Sequence, residues 1–212
     1  MNFSDILGFS GTASIAPNGE TFAMVHNLDI KVYDIKSLNL LASFACLDII
    51  SQIEWSPDSS KVLAAQDSRS IVQIFSITDL KWTSKIDLGQ AGLESARWSP
   101  DSLSVLTISE FNLRLTIWNL VDKSSCFIPN PKHADRGLSF SQDGRFMALC
   151  MRRDNEDHID IFSTSDWRLV SSFATCMTDL HDIAWLKDDT VIVCWDNPAE
   201  YKVAIYSPSG EE

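Results

Sequence analysis

The fold follows from the segment Ile53-Glu54-Trp55-Ser56-Pro57-Asp58-Ser59, which returns as Ala96-Arg97-Trp98-Ser99-Pro100-Asp101-Ser102. A third copy, Leu138-Ser139-Phe140-Ser141-Gln142-Asp143-Gly144, keeps the aromatic residue and the turn, and weaker copies surround Ile15 and Trp185. The central positions of the five copies are separated by 40 to 45 residues. Internal repeats of this length are typical of solenoid and propeller proteins.

A second repeated element follows each copy and consists of alternating apolar and polar residues that end in an aromatic residue. Its five occurrences are Ile30–Tyr33, Val72–Phe75, Leu115–Trp118, Ile159–Phe162 and Val203–Tyr206. Alternation of this kind predicts a β-strand with one buried face. The Pro-Asp and Asp-Gly pairs of the first element predict tight turns between strands.

Four strands in each repeat predict an all-β fold, a WD40-type β-propeller with about five four-stranded blades. One propeller region covers residues 1–212, with blades at approximately 11–45, 49–86, 93–128, 136–173 and 180–207. We expect the aromatic residues of the two repeated elements to act as structural anchors of the blades. They are Trp55, Trp98, Trp118, Phe140, Phe162 and Trp185.

The strand count leaves the last blade one outer strand short. Residues 1–9 are a candidate for that strand, in which case Asn2–Phe9 closes a five-bladed ring. Alternatively, the chain is the N-terminal part of a larger propeller and its last sheet is incomplete. We favour the second alternative, in which unpaired blade edges would promote self-association.

Composition and motifs argue against several classes of function. The chain has 17 Lys and Arg against 29 Asp and Glu, a net charge of −12, which disfavours nucleic acid and anionic membrane surfaces as partners. The four histidines are far apart, the cysteines lack metal-site spacing, and no glycine-rich phosphate loop occurs. The acidic segment Asp154–Asp160 has Ile159 where a calcium loop needs glycine, so it predicts a solvated hairpin. We therefore predict no catalytic residue, cofactor, metal or small-molecule substrate.

The loops that differ between blades are the candidate binding surface, because variable loops on a rigid scaffold carry specificity. The predicted protein-binding residues lie in these loops or beside them: Asp48, Glu110, Phe111, Arg152, Arg153, Asp154 and Trp195. We expect them to form one face of aromatic and arginine side chains, a composition enriched in binding hot spots. Reversing the charge of both arginines is expected to abolish partner binding and to leave the fold intact.

Several motifs resemble one family, the WD-repeat proteins of centriolar satellites and spindle poles. The resemblance covers essentially the whole chain and is carried by motifs such as Cys46-Leu47-Asp48, Arg152-Arg153-Asp154, Ser165-Asp166-Trp167 and Glu200-Tyr201-Lys202. Two of these, Arg152-Arg153-Asp154 and Ser165-Asp166-Trp167, are not general features of a WD blade. Members of the family continue with further repeats, which implies that this chain is an N-terminal portion.

The resemblance implies a non-enzymatic scaffold that anchors microtubule minus ends. Its implied partners are a microtubule-anchoring coiled-coil protein and, in fungi, a minus-end-directed kinesin. The implied location is the cytoplasm and cytoskeleton, at the centrosome or spindle pole body. Two alternatives remain: a WD-repeat adaptor in ubiquitin ligation or RNA processing, and a propeller enzyme with its site on the innermost strands.

Overall fold

The structure is a computed structural model that describes residues 11–112, 114–186, 190–197 and 202–211. In this part of the chain the regular structure consists of β-strands and three single-turn 3-10 helices. The strands of the first two repeats are β1 Ala13–Ile15, β2 Thr21–His26, β3 Asp29–Asp34, β4 Leu40–Ala45, β5 Gln52–Trp55, β6 Lys61–Gln66, β7 Ile71–Ser76 and β8 Thr83–Asp87. The third and fourth repeats contain β9 Ser95–Trp98, β10 Ser104–Ile108, β11 Arg114–Asn119, β12 Ser125–Pro129, β13 Leu138–Phe140, β14 Phe146–Arg153, β15 Glu156–Ser163 and β16 Leu169–Ala174. The fifth contains β17 Leu180–Trp185, β18 Ile192–Asp196 and β19 Val203–Tyr206. The 3-10 helices are Asp67–Arg69, Gly89–Ala91 and Glu110–Asn112.

Each repeat forms one antiparallel sheet, and the all-β, WD40-type prediction is confirmed. The strand orders are β1-β2-β3-β4, β5-β6-β7-β8, β12-β11-β10-β9, β13-β14-β15-β16 and β17-β18-β19. The described residues of the fifth sheet thus supply three strands, as the strand count predicts. The candidate closing strand Asn2–Phe9 lies outside the described residues.

The turn after the first strand of a sheet is built in the same way in three repeats. The hydroxyls of Ser56, Ser99 and Ser141 accept a hydrogen bond from the backbone N–H five residues later, at 2.9 Å each. Each hydroxyl also donates to the aspartate two residues later. The residue directly after that aspartate has a left-handed φ in all three turns; it is Ser59, Ser102 or Gly144. The Ser-Pro-Asp and Ser-Gln-Asp motifs therefore form turns held by their own side chains, and Ser102 Oγ also accepts a hydrogen bond from Asp58 N of the preceding repeat.

The chain forms two compact units: Met1–Leu106 with Asn119–Lys123, and Thr107–Trp118 with Ser124–Glu212. In the first unit, the anchors Trp55 and Trp98 are buried and join successive sheets. Trp55 Nε1 donates to the carbonyl of Ser14 at 3.0 Å, and Trp98 Nε1 donates to the carbonyl of Glu54 at 3.2 Å. Each of these tryptophans thus bonds the residue that precedes the central position of the previous repeat.

In the second unit, a cluster of buried apolar side chains lies between the fourth and fifth sheets. The anchor Phe162 is buried, whereas Trp118, Phe140 and Trp185 are only half-buried. Trp118 Nε1 donates to Thr107 Oγ1 at 2.9 Å, which satisfies its polar atom at the edge of the core. Three of the six predicted anchors are therefore buried and three are half-buried. No helix in the described residues is long and apolar enough to cross a membrane.

Candidate interaction surface

Asp48, the predicted surface residue of the first unit, lies between the first and second sheets. Its Oδ2 forms an ion pair with Arg69 Nε at 2.9 Å and accepts a hydrogen bond from Ser68 Oγ. Its neighbours in sequence, Leu47 and Ile49, are both exposed. Asp48 therefore ties its loop to the 3-10 turn Asp67–Arg69, and two exposed apolar side chains flank it.

Glu110 and Phe111 lie in the 3-10 turn between β10 and β11. Phe111 has a left-handed backbone, with φ 59°, and its side chain is 88% exposed. A left-handed φ is uncommon for a bulky residue, and such conformations cluster at binding sites. The prediction that Phe111 is presented to solvent is consistent with this geometry.

The hairpin of β14 and β15 carries Arg152, Arg153 and Asp154. Asp154 and Asn155 form its two-residue turn, with φ of 50° and 67°. This is the type I′ geometry that matches the twist of paired strands. Asp154 is exposed, and in the described residues no group of three acidic, histidine or cysteine side chains could hold a metal ion. The segment is a β-hairpin, as predicted, but the prediction that it is solvated is wrong for Asp157 and Asp160, which are buried.

Arg152 belongs to a charge cluster whose centre is buried. Its Nη1 lies 3.6 Å from Asp157 Oδ1 and 3.6 Å from Asp179 Oδ1. Lys132 Nζ lies between the same two acids, at 2.7 Å from Asp157 Oδ2 and 2.8 Å from Asp179 Oδ1. The hydrogen bond from Lys132 is the main cause that lowers the pKa of Asp179. The sequence analysis missed Lys132 and Asp179, which are 47 residues apart and share no motif.

Arg153 makes a different set of contacts, because successive residues of a strand point to opposite faces. Its Nη2 forms an ion pair with Asp160, and its Nη1 donates to Ser172 Oγ at 3.1 Å. Ser172 Oγ in turn donates to Asp160 Oδ1 at 2.7 Å. Asp160 is buried, so Arg153 supplies the positive charge that compensates it.

The two arginines are thus structural partners of buried acids. Both arginines are exposed, as the sequence predicts, but each also pairs with a buried acid, so charge reversal of both is expected to disturb the fold as well as any binding. Charge reversal at Arg153 would place two carboxylates together in a poorly solvated position. A binding test on this surface needs variants of other residues.

The arginines line a groove whose volume is about 290 Å³. Its apolar wall comes from the outer strand β12 and from the fourth sheet, and includes Phe127, Phe162, Trp167 and Leu169. Of the predicted surface residues, Arg152 and Arg153 line this groove. Glu110, Phe111, Asp154 and Trp195 do not line it.

Trp195 lies in strand β18, paired with Asp182 of β17 and Val203 of β19, and is half-buried. It is therefore part of the fifth sheet, and its side chain is only partly exposed. The single face proposed for Glu110, Phe111, Arg152, Arg153 and Trp195 stays a prediction.

In a propeller enzyme, the first strand of each sheet would line the active site. In this chain, polar side chains of these first strands form hydrogen bonds with neighbouring sheets. Gln52 Nε2 donates to the carbonyl of Ala96 at 3.1 Å, and Asp182 Oδ1 accepts from Gly137 N at 2.7 Å. Glu54 is held between the second and third sheets, where burial raises the pKa of its carboxyl to about 7. These contacts join sheets, and none of them pairs a nucleophile with a base.

Comparisons with known proteins identify a curated relative and solved structures of similar fold. No family model matches the chain. The mouse WD repeat-containing protein WRAP73 is 41% identical over 211 residues, which are 99% of this chain and 46% of that protein. The chain therefore spans about half the length of this relative. Hydrazine synthase of Kuenenia stuttgartiensis has a similar fold, with a TM-score of 0.62 and 13% identity over 92% of this chain and 65% of that chain.

Proposed function

We propose that the chain is a WD-repeat protein of the WRAP73 type and that it is a non-catalytic scaffold that binds other proteins. The observation that carries the proposal is the 41% identity along 99% of the chain. The structure adds loops that present exposed apolar side chains, such as Ile49 and Phe111. Exposed aromatic and aliphatic side chains on loops are typical of protein interaction surfaces.

The finer proposal is that this scaffold anchors microtubule minus ends. It rests on the motif resemblance, which implies a microtubule-anchoring coiled-coil protein and a minus-end-directed kinesin as partners. We propose the centrosome or spindle pole body as the location. The net charge of −12 supports an indirect role, because the tubulin surface is also acidic and would repel the chain.

Affinity purification of the tagged chain followed by mass spectrometry tests the proposal. We expect recovery of a coiled-coil protein that anchors microtubules, with the tag alone as the control. Recovery of a ubiquitin ligase or an RNA-processing complex instead would favour the adaptor alternative. Clear turnover in a panel of hydrolase substrates would contradict the scaffold and favour an enzyme.

Location is tested separately by fluorescence microscopy of the tagged chain in dividing cells. We expect enrichment at spindle poles that depends on the recovered coiled-coil protein. A uniform distribution, unchanged when that protein is depleted, would contradict the proposed location.

A further inference from the structure

The groove of the second unit combines exposed apolar side chains with a concave surface. Phe127 of β12 is 65% exposed, and Leu169 at the start of β16 is also exposed. Trp167 is half-buried and holds a left-handed φ of 55°, its N–H bonded to the carbonyl of Ser163 at 2.9 Å. Apolar side chains left in solvent around a cavity mark a surface that is covered by a partner.

The polar end of the groove presents positive charge in a protein of net charge −12. The side chains of Arg152 and Arg153 are 45% and 43% exposed, whereas those of Asp157 and Asp160 are each 1% exposed. Asp179, the exposed acid beside Arg152, is already bonded to Lys132. The guanidinium groups are thus more exposed than the carboxylates that they pair with in the fourth sheet, although Asp160 also lines the groove.

The hairpin that carries these arginines is longer than its equivalents. Strands β14 and β15 have eight residues each, whereas β2, β3, β6 and β7 have six. The added length carries Arg152 and Arg153 to the end of the groove opposite the turn of Trp167. Arg152 and Arg153 of one motif and Trp167 of the other thus line one cavity.

We propose that this groove binds an extended acidic–aromatic segment of a partner protein. The segment inserts a large apolar side chain against Trp167, Phe127 and Leu169 and places a carboxylate on Arg153. A volume of about 290 Å³ is close to the lower limit of small-ligand pockets, about 300 Å³, and suits one aromatic side chain with its neighbours. Nη1 and Nη2 of Arg153 already donate to Ser172 and Asp160, so the carboxylate of the segment would accept from the remaining N–H groups of the guanidinium. The inference rests on the proposed scaffold function and specifies the chemistry of the partner.

The test uses peptides selected on the wild-type chain from a random peptide library and then labelled with fluorescein. We expect the selected peptides to combine Trp, Phe or Leu with Asp or Glu, and their affinity to fall as salt rises. The variant Phe127→Ala with Leu169→Ala removes exposed groove residues and should weaken binding about tenfold or more, measured by fluorescence anisotropy. Leu169→Glu should also weaken it, because the new carboxylate repels the acidic peptide.

Val170→Glu is the matched control, because Val170 is the exposed neighbour of Leu169 on the same strand and does not line the groove. It should retain wild-type affinity, and all variants should keep the wild-type melting temperature. Selection of basic peptides, or equal binding by the Phe127→Ala, Leu169→Ala variant, would overturn the proposal.

Affinity purification separates this inference from the scaffold function. If the groove variant recovers the same cellular partners as the wild-type chain, the groove proposal fails and the scaffold stands. If the wild-type chain recovers no partner, the scaffold fails, and the peptide measurements still decide whether the groove binds an acidic–aromatic segment.

Discussion

Two aspartates of the fourth sheet, Asp157 and Asp160, are almost completely removed from water. Each is compensated by basic side chains: Lys132 and Arg152 for Asp157, and Arg153 for Asp160. Transfer of an ionised carboxylate out of water costs several kcal/mol unless it is paired. Removal of one partner therefore leaves a buried charge uncompensated and lowers the free energy of unfolding.

Replacement Arg153→Ala is expected to lower the free energy of unfolding by about 1–3 kcal/mol. The usual cost of breaking a buried ion pair is about 3–5 kcal/mol, and the exposure of Arg153 reduces it. Urea denaturation measures the loss. Addition of Asp160→Asn should restore part of the stability, because the uncompensated charge is then absent.

Arg168→Ala is the control for this measurement. Arg168 is 85% exposed and lies 3.5 Å from the half-exposed Asp166, so its loss should change the unfolding free energy by less than about 0.5 kcal/mol. Equal effects of the two replacements would contradict the buried role of Arg153.

Glu54 makes stability depend on pH. Burial raises the pKa of its carboxyl to about 7, opposed by the backbone N–H of Trp98 and the charge of Arg97. In the unfolded chain a glutamate titrates near pH 4.3, so between about pH 4.3 and pH 7 the folded chain holds a proton on Glu54 that the unfolded chain has lost. The stability that this proton contributes is fully present below about pH 4.3 and is lost as the pH rises through about 7. Wild-type stability should therefore fall across this range.

The variant Glu54→Gln should remove this decline and be more stable than the wild-type chain at pH 8, by about 2 kcal/mol, with little advantage at pH 4. Guanidinium denaturation at a series of pH values measures the difference. The exposed Glu94→Gln should keep the wild-type pH profile. A Glu54→Gln profile parallel to that of the wild-type chain would disprove the raised pKa.

Among the elements, the turn after the first strand of each sheet depends on one hydroxyl. Ser99 is fully buried, accepts a hydrogen bond from Ser104 N and donates to Asp101. Ser99→Ala leaves a buried N–H unpaired and should cost about 1–3 kcal/mol. Thermal unfolding checks this loss, and the exposed Ser165→Ala should leave the melting temperature unchanged. An unchanged melting temperature for Ser99→Ala would show that the backbone alone holds the turn.

The aromatic anchors should differ in importance according to their burial. Trp98→Ala should cost about 3–5 kcal/mol, because a rigid sheet cannot refill the cavity left by a buried ring. Trp118→Ala should cost less, since its side chain is half-buried and part of the space is already solvent. Chemical denaturation of both variants measures the difference. A loss below about 1 kcal/mol for Trp98→Ala would contradict its place in the core.

The strands could be predicted from the sequence because each is defined by local alternation and by its turns. Strand β7, Ile71–Ser76, for example, contains the whole alternating segment Val72–Phe75 from which it is predicted. The partners of Arg152 and Arg153 could not be predicted in this way. Asp179 and Ser172 contact the arginines only because sheets and strands pack together. A repeat in the sequence carries no information about contacts between residues so far apart in the chain. Of the candidate site, the sequence thus predicted the two arginines. It did not predict Phe127 of the apolar wall, because this residue lies on an outer strand outside the repeated elements.

At the scale of the whole molecule, the repeats differ in how well their apolar faces are covered. Ile15 occupies the position of Trp55 and Trp98, yet it is 67% exposed and lines an apolar cavity with Phe22 and Leu38. In the fifth sheet, Val203 and Ile205 of β19 are also exposed. Within the described residues no fourth strand pairs with β19. Exposed apolar faces and unpaired strand edges both favour association with another chain.

The isolated chain is therefore expected to self-associate in a concentration-dependent manner and to unfold in a broad transition. The double variant Ile15→Lys, Val203→Lys should shift it towards the monomer, because a charge on each surface must be desolvated for contact. Size-exclusion chromatography with light scattering, over a range of concentrations, measures the shift. Val121→Lys, which adds the same charge at an exposed turn, should leave association unchanged. A monodisperse wild-type monomer with one sharp unfolding transition would contradict the prediction and favour a five-bladed ring closed by Asn2–Phe9.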